Sequence, residues 1–163
     1  PGDSFLNLFA RLAQRLPLMP LASPNAKFQP VFVENVAQAF VASLSNPATF
    51  GQGYDLCGPK VYSLRQLVEY VAQVTGHDLR IIGLNDSLSY LQALLMEWLP
   101  GKLITRDNYR SMQVDSVCDC AGSSNLAAVF GIRPTPLEEA APLYLAHQLP
   151  RERYNRFRDR AGR

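Results

Sequence analysis

Residues 54–84 read YDLCGPKVYSLRQLVEYVAQVTGHDLRIIGL, and their punctuation sets the fold class. Tyr54–Cys57 reads as a short strand, and Gly58-Pro59 turns the chain. Ser63 and Gln66 have the S-x-x-Q spacing of a capping box, and Tyr62 and Leu67 stand at the two positions of a hydrophobic staple. Leu67, Val68, Val71 and Val74 fall on one face of the helix that follows. Gly76 supplies the left-handed residue that ends it, and Leu79–Leu84 reads as a second strand. Strand, capped helix and strand in that order predict an α/β fold.

Upstream, residues 27–44, KFQPVFVENVAQAFVASL, pass abruptly from a β-branched run to a helical pattern. Val31–Val33 predicts a buried strand. Asn35 is the expected cap of a helix with apolar positions Val36, Phe40, Val41 and Leu44. Such a junction sets a strand end beside a helix N-terminus, where α/β proteins often form ligand crevices. An ordinary core connection is the alternative. Residues 1–16 open on a turn dipeptide without Met. They lead into an amphipathic helix through Phe5, Leu8, Phe9, Leu12 and Leu16. Residues 17–30 hold Pro17, Pro20, Pro24 and Pro30 and must be extended or turning.

Downstream, NDSLSYLQALLMEWLPGK (85–102) predicts a helix capped at Asn85 or Asp86 and stopped by Pro100-Gly101. Glu97 is the sole charge between Ser87 and Leu99, so this helix should be buried or form an interface, with Leu91, Leu95 and Trp98 covered. Thr105 is the expected cap of a further helix, and a short helix before Gly131 comes next. The last helix has a T-x-x-E box at Thr135 and Glu138, Pro136 at its first position and Pro142 inside it. The whole reads as α/β with few short strands and a helix-rich C-terminal lobe. Strands so few leave edges exposed, which points to a portion of a larger protein.

At 163 residues the chain can bury one core. Its formal charge of +2 gives no general argument for nucleic acid. The charge is uneven: residues 151–163 hold six Arg against Glu152 and Asp159, leaving residues 1–150 slightly acidic. Residues 1–150 therefore form the structured segment, and 151–163 an Arg-rich flexible tail. A basic anchor for anionic lipid or RNA is the alternative reading of that tail. Cys57, Cys118 and Cys120 fit neither a disulfide framework nor a zinc site. They predict buried or half-buried thiols in a reducing compartment. His77 and His147 stand apart from any ligand cluster, so no metal site is expected. No apolar run reaches membrane-spanning length.

The sequence carries few signatures of chemistry. Gly51 and Gly53 have Leu56 where a dinucleotide fingerprint needs its third glycine, and they lie between a helix and a strand rather than the reverse. Ser23, Leu56 and Trp98 precede Lys27, Lys60 and Lys102 by four residues, so no Tyr-x-x-x-Lys pair exists. Asp115 and Asp119 lack a neighbouring His or Lys. No catalytic residue is assigned.

PGD before an apolar helix, then QPVFVENVAQAF and YDLCGPKVYSLRQLVEYVAQVTG, resemble the C-terminal half of extended or atypical short-chain dehydrogenase/reductase proteins, the NAD-dependent epimerase/dehydratase type. These stretches, with TRDNYRSMQVDSV, look like bacterial relatives of the nucleotide-binding accessory subunit of NADH:ubiquinone oxidoreductase. The resemblance covers about residues 1–140. It implies a Rossmann-like fold of which this chain is the C-terminal, substrate-side part, with the glycine-rich cradle for NAD or NADP in an absent N-terminal half. It also implies that this segment alone is inactive and holds no cofactor tightly. A non-catalytic assembly or stability subunit of a respiratory NADH dehydrogenase-type complex is the alternative. Phe28, Gln29 and Val31 are the residues the resemblance places near substrate or nicotinamide. Phe28 offers a flat apolar face and Gln29 an amide. The family usually has Asp where this chain has Asn35, so its substrate preferences do not carry over. The expected partners are a small-molecule substrate or nucleotide, a protein docked on the 87–99 helix, and a second copy of the chain; nucleic acid is not expected. The expected location is cytoplasmic, with peripheral attachment at the inner face of the membrane as a variant.

Overall fold

The computed structural model describes residues 4–98, 105–118 and 126–145. The Arg-rich tail lies outside them, as does Cys120. The elements are α1 (Ser4–Ala13), β1 (Leu18–Leu21), β2 (Lys27–Phe28), α2 (Val33–Leu44), a 3₁₀ turn (Pro47–Thr49), β3 (Tyr62–Ser63), α3 (Leu64–Val74), β4 (Arg80–Gly83), α4 (Asp86–Glu97), α5 (Arg106–Ser111), α6 (Leu126–Phe130) and α7 (Leu137–Leu145). The expected α/β class with few short strands holds. β1 pairs in parallel with β4, Met19 opposite Ile81, and β2 pairs antiparallel with β3, Phe28 opposite Tyr62.

The centre of the molecule is α3. Ser63 Oγ accepts from the Gln66 N–H at 3.2 Å, and Gln66 Oε1 accepts from the Ser63 N–H at 2.8 Å, so the capping box is complete. Tyr62 and Leu67, the staple residues, are both buried. Gly76, just beyond the Thr75 C-cap, has φ +70°, which a residue with a Cβ rarely adopts. Leu64, Leu67, Val68 and Val71 pack with Leu6, Phe9 and Ala10 of α1, Met19 and Leu21 of β1, and Leu137, Ala141 and Leu145 of α7. Asn85 and Thr105 cap α4 and α5 through their side chains, as their positions predict.

Several expectations need correction. Val31–Val33 is not a strand. The strand is Lys27–Phe28 and stops before Pro30, which lacks the N–H a ladder would need. The backbone stays extended at Phe32 (φ −75°, ψ 130°), and Phe32 itself is the N-cap of α2, without a side-chain cap. Asn35 is therefore the third helical residue. It is buried, and its Oδ1 accepts from the Thr135 N–H at 2.8 Å. The expected apolar stripe does not face the core. Phe40, Val41 and Leu44 are 69%, 69% and 79% exposed, while Asn35 and Ala39 are buried. Tyr54–Cys57 is irregular, and the local strand is Tyr62–Ser63. The Thr135–Glu138 box does not form: the Thr135 N–H goes to Asn35, Glu138 reaches Tyr62, and Pro136 stands just before the first residue of α7. Leu91, Leu95 and Trp98 are 47%, 60% and 87% exposed, so the core alternative for this helix falls and the interface alternative stands untouched. Ser89 and Ala93 form the buried side of α4. Cys57 and Cys118 are not separate thiols but are joined as a disulfide, Cα–Cα 6.3 Å.

Candidate functional site

Two features lie around the junction that follows β2. The first is a node of backbone and amide hydrogen bonds. The Gln29 N–H donates to the Ser116 carbonyl at 3.0 Å, and the Ser116 N–H to the Lys27 carbonyl at 2.8 Å. Residue 116 thus forms a parallel bridge beside β2. Gln29 spans the node with its side chain: Nε2 donates to the Gly58 carbonyl at 2.8 Å, and Oε1 accepts from the Cys118 N–H at 3.1 Å. A Cβ on Gly58 would lie 1.9 Å from the Pro30 carbonyl oxygen, so no larger residue fits that turn without moving the backbone. The Lys27 N–H and its ammonium both meet the Asp115 carboxylate, at 3.1 and 3.4 Å.

The structure places the three sequence-selected residues along this node. Phe28 packs on the core with its ring 5.6 Å from that of Phe5. Gln29 uses both ends of its amide within the chain, and Val31 is half-buried where the segment leaves β2 for α2.

The second feature escaped sequence reasoning. Ala39, Phe40 and Leu44 of α2, Phe50, Tyr54, Leu56 and Phe130 of α6 line an open, mainly apolar groove of about 320 Å³. The Tyr54 and Phe130 rings meet edge to face at 5.4 Å. Phe40 and Phe50 at its rim are mostly exposed. The aromatic spacing around Gly51 and Gly53 was visible, but Phe130 comes from a distant segment that no local pattern links to it.

Among the described residues, Tyr62, Lys60 and Glu138 form an interacting cluster of ionisable groups beside the core. The Tyr62 hydroxyl donates to the Glu138 carboxylate, 2.8 and 2.9 Å from its two oxygens, and Lys60 pairs with the same carboxylate at 3.3 Å. Burial, then the hydrogen bond to Glu138 and the Glu138 charge, pushes the Tyr62 phenol well above its usual range. Glu138 is held below the usual carboxylate range, first by its own backbone N–H and then by Tyr62, against a smaller opposing effect of burial. A phenol kept neutral and a carboxylate kept charged hold each other in place. The cluster fastens α7 to β3.

A dinucleotide's diphosphate needs a glycine-rich turn between a strand and a helix. Gly51 and Gly53 follow the 3₁₀ turn and lead into irregular chain, with no other group within 4 Å of where their Cβ atoms would be. They do not fit that cradle. Among the described residues no group of three or more His, Cys, Asp or Glu is placed to hold a metal ion, and no helix is long and apolar enough to cross a membrane.

Comparison with known proteins gives sequence relatives and fold neighbours, while no family model matches. Mitochondrial NADH dehydrogenase [ubiquinone] 1 alpha subcomplex subunit 9 of Dictyostelium discoideum is 24% identical over 115 residues, covering 69% of this chain and 31% of its own. The Arabidopsis thaliana subunit of the same name is 36% identical over 69 residues, 41% of this chain and 17% of its own. The chain thus spans a third or less of these curated relatives. A crystal structure of a protein assigned as an epimerase from Burkholderia cenocepacia superposes with TM-score 0.55 at 16% identity, over 90% of this chain and 41% of that one. A nucleoside-diphosphate-sugar epimerase from Staphylococcus aureus gives 0.51 at 16% identity, over 82% and 45%.

Proposed function

This chain has an epimerase-like, short-chain dehydrogenase/reductase-type fold, and we propose that it supplies the substrate-side part of a nicotinamide-nucleotide-binding protein whose cofactor cradle lies outside these 163 residues. The observation that carries this reading is α2. Val33, Phe40, Val41 and Leu44 turn their apolar side chains to solvent, and the face packed on the rest of the chain is Asn35 and Ala39. Such a face costs free energy in water unless another body covers it. In this reading the body is the nucleotide-binding half, which brings the diphosphate site. Phe28 and Val31 border the nicotinamide or substrate end, and Gln29 positions the two segments it bridges. Any chemistry by the whole protein draws its acid–base groups from outside this chain.

Calorimetric titration of the chain with NADH and NADPH, run beside light scattering, tests the proposal. Without the cradle, the cost of immobilising the ligand is poorly offset. The expected affinity is weaker than about 1 mM, or ~4 kcal/mol, with self-association through the uncovered faces. Micromolar binding by a monomer would overturn the reading.

A second reading, a non-catalytic subunit of a respiratory NADH dehydrogenase-type assembly, is favoured by α4. Its Leu88, Leu91, Leu95 and the adjoining Trp98 are exposed on a helix charged only at its two ends, Asp86 and Glu97, a surface suited to a protein partner. Both curated relatives are subunits named for such an assembly. A Tyr-x-x-x-Lys pair elsewhere in the protein favours the first reading; a glycine-rich loop without it favours the second.

A further inference from the structure

Cys57 and Cys118 are 61 residues apart in sequence and 6.3 Å apart at Cα, within the span of natural disulfides. Their bond closes a node that hydrogen bonds already close. Gln29 ties the Gly58 carbonyl to the Cys118 N–H through its amide, and residue 116 pairs with β2 on both sides of Phe28. Next to Cys57 is Leu56, which with Tyr54 forms one wall of the apolar groove. Both cysteines are half-buried and lie outside the hydrophobic core. A disulfide outside the core that cross-links a loop this long is a candidate for reversible reduction with consequences for the chain, since exposed disulfides tend to be labile and long loops have the largest closure entropy.

We propose that Cys57–Cys118 is a reversible redox clasp that fastens the groove wall at Tyr54–Leu56 to the segment Ser116–Cys118, which bridges β2 at Ser116. Gln29 keeps the two segments in register when the bond is open. Opening takes two equivalents of a low-molecular-weight thiol. The first, as thiolate, attacks one protein sulfur, forms a mixed disulfide and releases the other cysteine. The second attacks the mixed disulfide and leaves as the small disulfide. Two electrons and two protons have then passed to the protein pair. Closing is the reverse, with the small disulfide as oxidant. Disulfides of this transient kind occur in reducing compartments, so the clasp does not require an oxidising one.

The test uses the full chain carrying Cys120→Ser, so that a single pair remains. The chain is equilibrated with reduced and oxidised glutathione at graded ratios, alkylated and mapped by mass spectrometry, and amide exchange is followed at both extremes. Cys57 and Cys118 should link to each other under oxidised glutathione and become free together under the reduced form. On reduction, exchange at residues 54–57 and at Cys118 should rise about tenfold, with α3 unchanged, and the thermal midpoint should fall by roughly 5–15 °C. Re-oxidation should restore all three. The Cys57→Ser variant should show the reduced pattern at every ratio. Failure to link under oxidised glutathione would overturn the proposal. So would linkage with exchange at 54–57 unmoved, because the bond would then be a plain staple. The reduction series on the unmutated pair stands even if Cys57→Ser does not fold.

Discussion

α2 and α3 are helices of nearly equal length with comparable apolar content, and they use it in opposite ways. In α3 the stripe Leu64, Leu67, Val68 and Val71 is almost wholly buried, fixed by a capping box at one end and a left-handed glycine at the other. In α2 the large apolar residues face water, the N-cap has no side-chain bond, and the residue held most specifically is polar Asn35. Periodicity reports that a face is apolar. It does not report which chain covers it. Local signals and tertiary burial agree in α3. In α2 they part company, and that disagreement is what points beyond this chain.

Substitutions on the two helices should separate them sharply. Leu67→Ala leaves a cavity in a packed core and should cost about 2–5 kcal/mol in urea denaturation. Phe40→Ser should change stability by no more than about 0.5 kcal/mol while reducing self-association. A comparable loss at Phe40 would mean that α2 is already covered and would erase the contrast.

Next in size is Tyr62→Phe, which removes a hydrogen bond to a charged acceptor from a buried phenol and should cost about 1.5–2 kcal/mol near neutrality. Its pH dependence has two shoulders. Glu138 has a folded-state pKa below its unfolded value, so its contribution is present above the unfolded carboxylate range and is lost as pH falls through the depressed value. Tyr62 has a raised folded-state pKa, so its contribution is present below the ordinary phenol range and is lost as pH rises above it. Denaturation across pH should show the wild-type advantage over Tyr62→Phe on a plateau between those limits, shrinking on both sides. A pH-independent difference would mean that the ring, not the hydroxyl, provides the stability.

Ser63→Ala should cost the least of the destabilising changes, about 1 kcal/mol, through loss of one cap of α3. An unshifted midpoint would show that Gln66 and the staple suffice.

What sequence could reveal follows the range of the forces involved. Caps at Ser63, Asn85 and Thr105 and the left-handed Gly76 act within a few residues, and the structure has them as expected. The β-branched run at Val31–Val33 misled because its strand character was overruled by Pro30 before it and by the helix beginning at Val33. The Thr135 box and the Asn35 cap were locally plausible. The two residues instead meet across 100 positions, the Asn35 side-chain Oδ1 accepting from the Thr135 N–H. The candidate site is subject to the same limit of range. Resemblance alone points to Phe28, Gln29 and Val31, whereas the Gln29 bridge, the Cys57–Cys118 bond and the contact of Phe130 with Tyr54 all join segments with no shared local signature.

The parallel pairing of β1 with β4 has a consequence for synthesis of the chain. Met19 cannot meet Ile81 until about 60 further residues have been made. At 5–20 residues per second that delay is roughly 3–12 s. Throughout it, Met19 and Leu21 lack the strand beside them, and for most of it the α3 residues that cover them are also missing. Antiparallel hairpins close as they emerge, but here Leu18–Leu21 must wait for Arg80–Gly83 with its oily side bare. This segment should therefore engage chaperone holdases during translation more than its finished structure suggests.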